Sequence, residues 1–170
     1  MAIFPTDLAL RATVLPTDKL LIHNITTGVT EYTTVARLLA VSETKYWSCA
    51  GTNFVGSHPD TDDITLNDLG TFTANMDGVF MRAPVSLPHG ATVTSVKVSG
   101  NAAAEAEHYS LKRIRLSDLN VVDMCYEFVN TRDDSIMGAV IDNSLYIYII
   151  IVTSIDIDDA IYGATITYTS

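Results

Sequence analysis

Over most of this chain the apolar positions recur at every second residue, the spacing that sends alternate side chains of an extended strand to opposite faces of a sheet. Such runs cover Ile64 to Leu69, Phe72 to Asn75, Val79 to Val85, Val93 to Ser99, Tyr109 to Leu116, Val121 to Val129, Leu145 to Val152 and Ala160 to Thr169. Turn residues separate them at the spacing of a β-sandwich. Tyr46 to Ala50 reads as an opening strand, and Asn53-Phe-Val-Gly56 precedes a polar loop, Ser57 to Asp63. The pattern predicts an all-β fold, a jelly-roll-like β-sandwich over residues 41–170 with eight principal strands.

The segment Val85 to Ser99 organises the rest. Pro88 fixes φ for a turn and Gly90 is free to take a positive φ, so Pro88-His89-Gly90 bends the chain into a β-arch ahead of Val93, Val96 and Val98. Strict alternation would face Val93 away from Val96 and Val98, which requires either a bulge near Thr94-Ser95 or cover on both faces. In the last strand, Tyr162, Ala164, Ile166 and Tyr168 are expected on one face, and Thr165, Thr167 and Thr169 on the other. Leu145 to Val152 is Tyr or aliphatic at every position, as a strand covered on both faces would be, with a neighbouring subunit as the candidate second cover. Asn101 to Glu107 reads as a loop with at most one helical turn.

The first forty residues follow another pattern. Asp18 to Ile25 and Val29 to Tyr32 read as a hairpin turning at Thr26-Thr27-Gly28, and Thr33 or Thr34 can cap a short helix through Val35, Leu38 and Leu39. So little apolar surface does not make an independent core, so residues 1–40 are expected to be a small β-hairpin/helix adaptor that packs on something else.

Charge narrows the partners. Ten Lys and Arg against 20 Asp and Glu leave a formal charge of −10, which repels phosphate backbones, so nucleic acid is not an expected partner. Charged residues make up only 18% of the chain, lean for an isolated monomer, which points to subunit contacts. The longest apolar run, Leu145 to Val152, is far below the ~20 residues of a membrane span, and the start, Met-Ala-Ile-Phe-Pro-Thr-Asp, lacks the basic and apolar regions of a secretory signal. Cys49 and Cys125 match no zinc spacing and read as inert core thiols, a disulfide being the minor alternative.

No catalytic constellation is spelled out. His23, His58, His89 and His108 are scattered, and the nucleophile-elbow, zinc-protease and phosphate-loop motifs are all missing from the sequence. Asp60, Asp62, Asp63, Asn67 and Asp68 gather oxygens suited to a hard cation, but Ile64 and Thr65 break the EF-hand pattern, so a solvated acidic loop is expected and no metal or other cofactor is assigned. Asp156, Asp158 and Asp159 read the same way. Tyr46 and Trp47, with Tyr109 and Tyr126, are candidates for stacking on sugar rings, against the commoner role of aromatic strand residues in a core. Glu105, Glu107 and Glu127 supply carboxylates without a glycosidase spacing that sequence can assign.

Two stretches resemble known proteins. Val85-Ser-Leu-Pro-His-Gly-Ala-Thr-Val-Thr-Ser-Val-Lys-Val98, with Leu111-Lys-Arg-Ile114, Ile141-Asp-Asn-Ser-Leu-Tyr-Ile-Tyr148 and Tyr162-Gly-Ala-Thr-Ile-Thr-Tyr168, resembles a β-sandwich module of bacterial and phage-encoded surface proteins. Asp7-Leu-Ala-Leu10, Leu15-Pro-Thr-Asp-Lys-Leu-Leu-Ile22, Gly28-Val-Thr30 and Thr33-Thr-Val-Ala-Arg-Leu-Leu39 resemble the short N-terminal units of phage fibre and appendage proteins. The resemblance implies a non-enzymatic structural protein of the virion, assembled in the host cytoplasm. It would be a homotrimer attached to capsid, portal or tail through Leu15, Leu20, Leu21, Ile22, Val35, Leu38 and Leu39, and would display the sandwich towards the host surface. No shaft, repeat array or heptad separates the two parts, which favours a compact head or tail appendage over a long fibre. The rival readings are a carbohydrate-binding module, with Tyr46 and Trp47 as ligand contacts, and, behind it, a glycan hydrolase.

Overall fold

The computed structural model of the chain describes residues 19–23, 30–34, 43–58, 61–101 and 103–170. The chain divides into two units, Met1–Ser42 and Glu43–Ser170. In the first, β1 (Lys19–His23) pairs antiparallel with β2 (Thr30–Thr34), Leu21 standing opposite Tyr32. This is the expected hairpin, with Thr33 and Thr34 completing a strand. The short helix expected over Val35, Leu38 and Leu39, and Leu15 before the hairpin, lie outside the described residues.

The second unit is a jelly-roll-like β-sandwich. Its strands are β3 (Thr44–Ala50), β4 (Val55–Gly56), β5 (Ile64–Leu66), β6 (Phe72–Ala74), β7 (Val79–Val85), β8 (Thr92–Gly100), β9 (His108–Arg115), β10 (Val121–Phe128), β11 (Arg132–Asp133), β12 (Tyr146–Ile155) and β13 (Ala160–Thr169). One sheet runs β10-β9-β12-β7-β4; the other runs β11-β8-β13-β6-β5, with β3 pairing along β13 beyond the short β6 contact. From β7 onward the chain crosses repeatedly from sheet to sheet, the exception being the β9–β10 hairpin, which stays in one sheet. The helical content among the described residues is two 3₁₀ turns, Gly51–Asn53 and Ala103–Glu105, the second where a single helical turn is expected. No helix among the described residues is long and apolar enough to cross a membrane.

Inward side chains of both sheets, among them Phe54, Phe72, Met81, Leu111, Ile150 and Ile166, form one core with almost no solvent contact. Each such side chain contributes about 1.5–3 kcal/mol of burial, which makes this interior the main stabilising term. Tyr109 clasps the two sheets. From β9 its hydroxyl lies 2.8 Å from Val96 O and 3.0 Å from Thr131 O, donates to one carbonyl at a time, and accepts the Asp133 N–H at 3.2 Å. Burial raises the Tyr109 pKa, so the phenol stays protonated and able to donate.

The arch joins β7 of one sheet to β8 of the other, as its turn chemistry requires. Ala91 N–H closes on Pro88 O at 3.1 Å, and Gly90 has φ +81°, the left-handed value that side-chain-bearing residues adopt only at a cost. Of the two arrangements open for Val93, a bulge is the one found. The β8–β13 register slips between Thr167↔Ser95 and Tyr168↔Val93, leaving Thr94 exposed and Val93, Val96 and Val98 all in the core.

Bulges also explain where alternation misleads. In β13 the register shifts between Ile161 and Gly163, so Ile161, Ala164 and Ile166 face inward and Tyr162, expected inside, is exposed. In β12, a shift between Val152 and Ile155 around Ser154 (φ +58°) returns Ile155 to the core. The apolar Leu145–Val152 run is covered on one face only. Tyr148, Ile150 and Val152 are buried, whereas Leu145 and Ile147 are exposed and Ile149 and Ile151 half-buried. Strands β4 and β11, two residues each, are too short to carry a period and escape the sequence pattern.

Candidate functional site

The outer face of the five-stranded sheet concentrates the side chains that one sandwich leaves uncovered. Because β9 pairs with β12 through Ile114↔Ile147 and with β10 through Val121↔Ile114, three aliphatic residues form a row across neighbouring strands. The next positions bring Pro84 beside Ile149, and Val55 beside Arg82. A shallow hollow of about 270 Å³ lies among Val55, Arg82, Pro84, Ile114, Ile147 and Ile149, with Ile147 47% exposed at its rim. Lys112 on β9 is tied to Asp123 on β10, while Arg82 lines the hollow itself and brings a guanidinium to its edge.

The opposite end of the same sheet is aromatic. Register places Phe128 opposite His108 and Tyr126 opposite Ser110, with alternation carrying Tyr126 and Phe128 to one face of the edge strand β10. The His108 ring stands between them, 4.8 Å from Tyr126 at 18° and 4.0 Å from Phe128 at 40° between ring planes. Tyr126 and Phe128 remain 59% and 44% exposed. Beside Phe128 opens a cleft of about 420 Å³ whose other walls are Glu105, Val129, Asn130 and Thr131. Asn130 shapes this wall: with φ +69°, its amide donates to Asn101 O at 3.2 Å and accepts the Gly100 N–H at 3.0 Å.

The structure separates Tyr46 and Trp47. Consecutive residues of β3 face opposite ways, so Tyr46 is 71% exposed on the outer side while Trp47 packs against the core and lines a cleft with Ser48, Asn53 and Pro84. They cannot form one stacking surface. Tyr109 is fully buried, and of the four aromatic candidates Tyr126 is the one that belongs to an exposed cluster.

The acidic loop is held together by its own oxygens. Asp62 accepts the N–H of His58 at 2.6 Å and of Phe80 at 3.4 Å, Asp63 accepts the Asn75 amide at 3.0 Å, and Asp68 is an exposed turn residue; Asp60 lies outside the described residues. Among the described residues no group of three or more His, Cys, Asp or Glu is placed to share a metal ion. His89 does more than occupy its turn, since its Nδ1 accepts the Asn143 N–H at 3.2 Å and links the arch to the turn before β12. Cys49 and Cys125 are both free thiols; burial raises both pKa values, Cys125 to about 12, which keeps them protonated and unreactive. Of the attachment residues, Leu20, Leu21 and Ile22 fall in β1, while Leu15, Val35, Leu38 and Leu39 lie outside the described residues.

The carboxylates divide by burial. Glu105 is exposed on the cleft, and Glu127 accepts the neighbouring Phe128 N–H at 2.8 Å. Glu107 and Asp159, each 4% exposed, lie near one another in the interior, where burial raises both pKa values and Glu107 Oε2 has no hydrogen-bond partner. A substrate cannot reach this pair, so its consequence is for stability. The native state holds protons on the pair that the unfolded chain releases, so stability falls as pH rises from the ordinary carboxylate range through the raised native values. Glu107→Gln removes one titrating group, and its melting temperature relative to the unsubstituted chain is expected to improve from pH 5 to pH 8 in a thermal denaturation series. A difference that stays constant with pH would show that Glu107 does not take up a proton on folding.

No family model matches the chain, and no curated protein matches it. Solved structures with which it shares similarity include the C-terminal CBM6 of LamC, a marine laminarinase from Zobellia galactanivorans, at TM-score 0.43 and 12% identity over 72% of this chain and 99% of that one. A second is the xylan-binding module CBM15, at TM-score 0.39 and 18% identity over 74% of this chain and 97% of that one. A third is a family two carbohydrate esterase from Cellvibrio japonicus, at TM-score 0.36 and 5% identity over 76% of this chain and 35% of that one.

Proposed function

We propose that this chain is a non-catalytic structural protein of a phage particle, a homotrimeric head or tail appendage that displays its β-sandwich for contact with the host surface. The observation that carries the assembly is the aliphatic row Val121, Ile114 and Ile147 with the hollow beside it, which the sandwich by itself does not cover. Three copies related by a closed rotation would each present this face to a neighbour. Attachment is proposed for residues 1–40, whose sequence resembles phage attachment segments.

A second reading, a carbohydrate-binding module acting outside any particle, is favoured by the exposed rings of Tyr126 and Phe128. Immunogold electron microscopy of purified particles, with antibody raised against residues 43–170, separates the two. Regular labelling at capsid or tail is expected; particles without label, from a culture that makes the protein, would favour the free module.

A further inference from the structure

We propose that His108, Tyr126 and Phe128, with the cleft beside Phe128, form a binding site for a neutral hexopyranose unit of a surface glycan. This rests on the display reading above and names the ligand class that the displayed face would take. One face of a pyranose is a patch of C–H bonds carrying slight positive charge, which complements the electron-rich face of an aromatic ring. Exposed rings on a sheet therefore offer a sugar something they do not offer water.

The rings are held before any ligand arrives. Tyr126 and Phe128 sit two residues apart on a paired strand, and His108 packs between them from β9, so little side-chain freedom remains to be lost on binding. The cleft, about 420 Å³, falls within the ~300–1,000 Å³ of small-molecule sites. Its polar groups suit hydroxyls, because the exposed Glu105 carboxylate accepts from O–H donors and the exposed Thr131 hydroxyl both donates and accepts. The Asn130 amide is already committed to backbone partners and serves as a wall.

Charge chooses among sugars. Glu105 on the cleft, Glu127 between the two rings in sequence and a chain charge of −10 oppose uronic, sialic or sulfated units, leaving neutral hexoses as the complementary class. The location is compatible with assembly. From Ile114 to His108 along β9 is six residues, roughly 20 Å, so subunits packed on the aliphatic end would leave the aromatic end open.

The test titrates the full chain with cellohexaose, maltohexaose and mannohexaose, following heat of binding and the His108 ring-proton resonances. Saturable binding to at least one hexaose is expected, with movement of the His108 resonances. Tyr126→Ala and Phe128→Ala should each weaken it about tenfold or more, whereas Tyr46→Ala should leave it unchanged. Oligogalacturonate should bind at least about tenfold more weakly than the best hexaose. Circular dichroism melts check that the variants fold, and the His108 signal needs no variant at all. Failure of all three hexaoses to bind, or binding that leaves His108 and both ring variants unaffected, overturns the site. Either result leaves the display reading standing if particles carry the protein. Hexaose binding through these rings in a chain missing from particles would support the site and overturn the display reading.

Discussion

Replacing Gly163 with alanine is expected to lower the stability of the sandwich by about 3 kcal/mol, roughly a 10 °C drop in melting temperature. A Cβ on residue 163 would stand 2.3 Å from the carbonyl oxygen of Cys49, on a paired backbone that cannot swing aside, and φ there is +155°. The same residue sets the bulge that turns Ile161 inward and Tyr162 outward. Relief of the clash would therefore have to disturb the pairing of β13 with β3 or β8, the strands that build most of the six-stranded sheet. Thermal denaturation followed by circular dichroism measures the effect, and an unchanged melt would show that β13 follows another path past β3.

Ile147→Asp is expected to weaken subunit association while the sandwich still folds. The side chain is 47% exposed in a single copy, so the carboxylate remains hydrated in the monomer. Buried against the aliphatic side chains of the contact, it would cost about 3–5 kcal/mol per interface less the attraction of Arg82, which lines the same hollow, enough to shift micromolar protein towards monomer. Tyr162→Asp, on an exposed position of the other sheet, serves as control and should remain associated. Equal association of both variants, measured by sedimentation velocity, would remove the aliphatic row from the interface.

Much of the fold is legible because its signals are local. β7 and β13 are bounded by turn residues and run as the pattern predicts, and Pro88 with Gly90 identifies the sheet-to-sheet turn before any pairing is known. The uninterrupted apolar run of β12 is visible in sequence too, and only one of its faces is buried in the described unit. What is lost depends on register. Tyr162 is misassigned because one bulge reverses the alternation, and Met124 and Cys125 are both buried, though adjacent, because β10 bulges between Asp123 and Cys125.

The aromatic cluster is hidden for the same reason. His108 lies about twenty residues from Phe128 and reads as one scattered histidine until the β9–β10 ladder sets it opposite. Tyr126-Glu-Phe128, two rings at strand spacing around a charge, reads in sequence as an ordinary half-buried strand with its rings inward, so alternation gives no sign of the exposed cluster. Tyr46-Trp47 draws attention by size alone, and adjacency in a strand sends those two rings apart.

Assembly of the sandwich through its uncovered sheet face is tested most directly by multi-angle light scattering of the full-length chain at micromolar concentration. A mass three times the 18.5 kDa of one chain is expected, falling towards that of a single chain for Ile147→Asp. A stable 18.5 kDa particle for the unsubstituted chain at the same concentration would contradict it.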